Sequence, residues 1–208
     1  MAYADFFRFP RPTYKASLPG SKGMELFLQE SYTPSQTAIL TLRYKMLTRQ
    51  EDIKGHKGTL QYATTHRLRM AYTTNVLPGY TLHAAVDATF ACTQTTSPRQ
   101  GFMLSARGTH TGRRCSLSAF AAVFFTDDYA TRLYAYQPQL PATGGFPSFA
   151  YHGFSFVAQG SIRLSSRLRL TLRNSLVHYF NKKTIGSGAQ TIAGPTKNDL
   201  SAQVKWIF

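Results

Sequence analysis

Apolar and polar residues alternate along most of this chain, with the period of two that belongs to a β-strand lying between two environments. In GFSFVAQGSIRL, Phe154, Phe156, Ala158, Gly160, Ile162 and Leu164 fall on one face. Ser155, Val157, Gln159, Ser161 and Arg163 fall on the other. In RLRLTLRNSLVHYF, which follows, Leu168, Leu170, Leu172, Leu176 and Phe180 stand opposite Arg167, Arg169, Thr171, Arg173 and Ser175. Ser165 and Ser166 separate the two runs, which predicts a tight hairpin.

The same pattern recurs upstream. Met24, Leu26, Leu28 and Tyr32 alternate with Glu25, Gln29 and Ser31. Leu40, Leu42, Tyr44 and Met46 alternate with Thr41, Arg43 and Lys45. Leu68, Met70 and Tyr72 alternate with Arg67, Arg69 and Thr73, and Leu82, Val86 and Phe90 with Thr81, His83, Asp87 and Thr89. Phe102, Leu104 and Ala106 oppose Ser105, Arg107 and Thr109. The run from Cys115 to Phe125 is less clear, because Phe120, Ala122 and Phe124 share a face with Ser116 and Ser118. At the end of the chain, Ala202, Val204, Trp206 and Phe208 oppose Ser201, Gln203 and Lys205.

Helix signals are nearly absent. The runs predict about nine strands, many longer than the roughly 5–6 residues usual in soluble sheets. They approach the ~10 residues that a tilted strand needs to cross a bilayer. The connections alternate as well. TPSQ, LPG, TGRR and SS are short; QEDIKGHKG, TTSPRQ, the stretch 127–153 and NKKTIGSGAQTIAGPTKN are long. Tight turns at one end and loops at the other are the plan of an up-and-down transmembrane β-barrel, with periplasmic turns and extracellular loops. The expected fold is therefore all-β and antiparallel, a barrel or its C-terminal portion, of nine to ten strands. It is one domain over 1–208, with 1–22 read as a loop-like lead-in and the strands over 23–208. A tenth strand over 2–9 is the alternative; the prolines of FRFPRP count against it, since Pro cannot donate to a ladder.

Charge sharpens the picture. The chain carries 24 Lys and Arg against 9 Asp and Glu, a formal net charge of +15. Arg43, Lys45, Arg67, Arg69, Arg107, Arg163, Arg167, Arg169, Arg173 and Lys205 all fall on the polar face of the alternation, while the middle of the apolar face is almost free of formal charge. Tyr32, Tyr72, Trp206 and Phe208 lie near its turn end, and Phe90, Phe102, Phe125, Phe154 and Phe180 near its loop end. That spacing fits the two aromatic girdles of a membrane barrel. In that frame the basic residues line a lumen that is water-filled or paired with a plug or partner, because nine acids cannot neutralise it. The competing reading is a soluble basic β-sheet protein that binds nucleic acid or other polyanions. Against it, the basic residues recur in nearly every strand rather than in one patch.

Other chemistry is sparse. The N-terminus has no basic segment followed by an apolar one, so it does not read as a signal peptide. No nucleophile elbow, phosphate loop or metal-spaced His/Cys cluster occurs, so neither catalysis nor a cofactor is expected. His83 and Asp87 share the polar face, where lumen polarity is the commoner role for such a pair. Asp127 and Asp128 read as solvated loop acids. Cys92 and Cys115 fall at opposite ends of their strands, too far apart for a disulfide.

Three stretches resemble a known family. ADFFRFPRPTYKASLPGSKGMELFLQESYTPSQTAILTLRYK looks like its loop–strand–turn–strand block. FPSFAYHGFSFVAQGSIRLSSRLRLTLRN looks like a second copy, in which Phe146, Pro147 and Phe149 echo Phe7, Phe9 and Pro10. NKKTIGSGAQTIAGPTKNDLSAQVKWIF looks like its final hairpin. Together they resemble the C-terminal part of the outer-membrane β-barrel proteins of Bacteroidota, whose longer members carry helix-hairpin-helix segments. The resemblance implies a larger parent with an export signal and more strands. It also implies outer-membrane lipid around the apolar face and an N-terminal barrel segment or partner chain to close the sheet. No helix-hairpin-helix part is present, so no nucleic-acid role is carried over. Val204, Trp206 and Phe208 resemble the C-terminal signature read by barrel-insertion machinery.

Overall fold

The computed structural model describes residues 1–140, 143, 146–186 and 188–206. Ten strands form one antiparallel sheet in which each pairs with its neighbours in chain order. They are β1 (Ala2–Phe9), β2 (Ser21–Ser35), β3 (Ala38–Ile53), β4 (His56–Leu77), β5 (Tyr80–Thr93), β6 (Arg99–Thr111), β7 (Cys115–Thr126), β10 (His152–Arg163), β11 (Leu168–Tyr179) and β14 (Thr196–Trp206). Two small ribbons sit in the connections. One pairs β8 (Leu133–Tyr134) with β9 (Ser148–Phe149); the other pairs β12 (Thr184–Ile185) with β13 (Ile192–Ala193). The fold is all-β, an antiparallel up-and-down sheet, as the period-two pattern predicts for a barrel or a portion of one. Among the described residues, β1 and β14 are edges and do not pair with each other.

The period-two pattern explains both the strands and their register. A one-residue slip would exchange the faces of a whole strand, and the pairing keeps like with like. Met70, Val86, Leu104, Val123 and Phe154 form one row across five strands. Arg43, Arg69, Asp87, Met103 and Phe124 form a row on the opposite face.

Two expectations are corrected. Residues 2–9 are a strand, paired from Ala2↔Leu28 to Phe9↔Ser21, and not part of a loop-like lead-in. Pro10 and Pro12 lie beyond its end, so every residue of AYADFFRF has an amide for the ladder. QEDIKGHKG is not a long loop. Glu51 and Asp52 pair with Gln61 and Leu60, and the chain reverses at Lys54–Gly55, with Gly55 at φ 86°. β3 and β4 simply run on, and a polar stretch of strand outside an apolar layer resembles a loop in sequence. Asp52 pins the 10–20 segment to this hairpin by accepting from Ser17 N (2.9 Å) and Ser17 Oγ (3.1 Å).

The hydrophobic core lies on the polar face. Met103, Phe120, Ala122, Phe124 and Val157 on the wall pack against Leu133, Ala135 and Phe149 from the 127–151 connection. This explains the ambiguous β7 pattern, because Phe120 and Phe124 point inward, onto an inserted loop.

Candidate functional site: the basic inner face

The inserted connection starts at Asp128, which caps the short 3₁₀ turn Tyr129–Thr131 by accepting from the amides of Ala130 (2.9 Å) and Thr131 (3.3 Å). Arg99 donates to the same carboxylate. Burial opposes ionisation there, but the Arg99 guanidinium and the two amides outweigh it and hold the Asp128 carboxyl below the usual carboxylate range. Gly101 lets the turn approach the wall, since a Cβ there would lie 2.6 Å from Thr131 O.

Beyond the turn the chain runs across the inner face as LYAYQP. Arg69 on β4 donates to Tyr134 O (2.7 Å), Gln137 Nε2 to Ser155 Oγ on β10 (3.0 Å), and Arg173 Nε on β11 to Pro138 O (2.8 Å). β4 and β11 stand five strand spacings apart, about 24 Å in a flat sheet. The loop thus lies across the polar face and is held from both β4 and β11.

The loop also accounts for arginines in a face poor in acids. Arg69 forms a two-pronged pair with Asp87, at 2.6 Å and 3.1 Å. Lys45 pairs with Glu25 at 2.7 Å, and Arg43 Nε donates to Gln29 Oε1 at 2.8 Å. Arg67 lies over the Tyr134 ring (5.6 Å) and Arg107 over Tyr136 (4.7 Å). Backbone carbonyls and aromatic faces thus supplement the few carboxylates.

Of the ten singled-out basic residues, Arg67, Arg69, Arg107 and Arg173 meet the loop, while Lys45 and the exposed Arg43 lie beside them on the same face. Arg163, Arg169 and Lys205 pair side by side at the turn end and are exposed. Arg167 is corrected: it lies in the turn between β10 and β11, where the connection is 164–167 and wider than Ser165–Ser166. Val204 and Trp206 face outward and are exposed; Phe208 lies outside the described residues.

The apolar face is turned to the surroundings. Leu104 is 61% exposed and Val204 65%. Aromatic rings form a contiguous row at its loop end: Phe90 with Phe102 at 5.7 Å, Phe125 with Phe180 at 6.2 Å and Phe154 with Phe180 at 6.1 Å. Cys92 and Cys115 are both free.

Sequence reasoning missed the partners of the arginines. Tyr134, Tyr136, Gln137 and Pro138 read as exterior loop, although the alternation of LYAYQ was a signal that this segment packs one face. Among the described residues, no group of three His, Cys, Asp or Glu is placed to hold a metal ion.

No protein-family model and no curated protein matches this chain. Among solved structures, the chain is similar to the copper transporter OprC, at 14% sequence identity and a TM-score of 0.48. The match covers 98% of this chain and 38% of that one. The chain therefore spans less than half the length of that transporter.

Proposed function

We propose that this chain is wall for an outer-membrane β-barrel with a basic lumen, acting in solute passage or as an envelope-assembly scaffold, and that it is not an enzyme. The observation that carries this reading is the inversion of its faces. Large aliphatic side chains stand exposed on the outside, while the arginines and the inserted loop occupy the inside. A water-soluble sheet with these strands would bury the aliphatic face instead. Lipid is then the solvent of the outer face. The free edges of β1 and β14 are offered to strands of a further barrel segment or partner chain, because an unpaired ladder is costly in hydrocarbon. The Bacteroidota barrels that the sequence resembles supply such a setting, and barrel-insertion machinery would read Val204, Trp206 and Phe208.

Membrane fractionation tests this. The chain is expected in the membrane pellet, resistant to alkaline extraction and released by detergent. A chain that stays soluble without detergent, and binds DNA with a steep dependence on salt, would instead be the soluble polyanion binder. Planar-bilayer recording then separates the two roles: conductance supports passage, and its absence supports the scaffold.

A further inference from the structure

Between the inner wall and the inserted loop lies a cavity of about 590 Å³, bounded by β4–β7 and β10 on one side and by Ala135–Gln139 on the other. Arg107 projects into it from β6. Its ring contact with Tyr136 covers one face of the guanidinium. Its Nε is withdrawn from solvent and, among the described residues, has no hydrogen-bond partner. The Gln159 side-chain oxygen on β10 is buried and unpartnered in the same cavity. Ser105 and Ser118 add hydroxyls that either donate or accept, and His83 lies directly across the ladder from Arg107.

The charge here is not balanced. Asp87 is committed to Arg69, Arg173 Nε donates to a carbonyl, and among the described residues no carboxylate lines the cavity beside Arg107. A buried guanidinium edge without an acceptor is costly. The stacked, planar group presents its remaining N–H donors in the fork geometry that suits an oxyanion.

We infer that this cavity is a binding site for a small oxyanion that also carries a hydroxyl, a hydrogen phosphate or a hydroxycarboxylate, its charged oxygens accepting from Arg107 and the wall hydroxyls and its own hydroxyl donating to Gln159 Oε1. The inference deepens the basic-lumen reading by naming a substrate class, and it rests on that reading.

The test is calorimetric titration of the purified chain in detergent micelles with inorganic phosphate and, separately, with citrate. Saturable binding is expected for one of them, and which one distinguishes phosphate from carboxylate chemistry. Arg107→Gln is expected to weaken it about tenfold or more, and Arg163→Gln, in an exposed residue at the turn end, to leave it unchanged. Gln159→Leu supplies a second reading if Arg107→Gln fails to fold, and is expected to weaken binding too. Absence of saturable binding by either anion overturns the site. So does equal binding by wild type and the folded cavity variant. Failure of the membrane reading appears separately, as a chain recovered in the aqueous phase.

Discussion

At the scale of single residues, the inner face is a set of cations whose partners decide their cost. Asp87 is 7% exposed and neutralises Arg69 at two points. Asp87→Asn keeps the shape and removes the charge. It leaves Arg69 opposite Arg43 with only Tyr134 O and a neutral amide as acceptors. A loss of about 3 kcal/mol is expected, read as a lower denaturant midpoint for the detergent-folded protein. Asp128 gives a pH signature. Its folded pKa lies below the unfolded value of roughly 3.9, so the contribution is complete above that value and is lost as pH falls through the folded pKa. Amide exchange at Ala130 and Thr131, corrected for intrinsic rates, is expected to lose protection below about pH 4. Asp128→Asn should weaken protection already at neutral pH and remove the acid-linked loss.

At the scale of elements, the 127–151 connection is the part with its own packing logic. Phe149 is 2% exposed and sits 5.1 Å from Phe124 and 6.3 Å from Phe120, ring centroid to centroid. Phe149→Ala removes the loop's main apolar anchor, at an expected cost of about 3 kcal/mol. The strands have their own ladders, so the loss should fall on the loop. Limited proteolysis is expected to cut within 135–147 faster, while the strands stay protected. Gly101→Ala tests the same docking from the wall side, because its new methyl meets Thr131 O. Much of this element was illegible in sequence. Its length and its Tyr and Pro content read as exterior loop, and its contacts join positions 65 and 35 residues apart, Arg69 with Tyr134 and Pro138 with Arg173. No local pattern encodes such a separation.

At the scale of the whole molecule, the proposed function has the two faces meet two solvents, and a charge placed on the apolar face tests it. Leu104→Arg puts a cation on a position that is 61% exposed. In water such a change is nearly neutral. In a bilayer it costs about 2–4 kcal/mol near the midplane. Folding yield into lipid vesicles is therefore expected to fall sharply for Leu104→Arg, whereas Arg163→Gln at the turn end should fold as wild type does. Unchanged folding of Leu104→Arg would place that face in water.

By itself the sequence determined most of the strands and the division of their residues between faces, because a period of two is a local property and one slip would mix Arg with Leu across every ladder. It also placed Cys92 and Cys115 at opposite ends of strands with one strand between them, and both are free. Composition and prolines misled where local signals were weak: AYADFFRF became a strand because its prolines lie outside it, and QEDIKGHKG stayed in the ladder because hydrogen bonding does not require apolar side chains. Only the tertiary structure decided that the 127–151 connection lies across the basic face. The acceptors that make those arginines tolerable are carbonyls and rings far away in sequence, and they meet the guanidinium groups only once the loop has docked on the sheet.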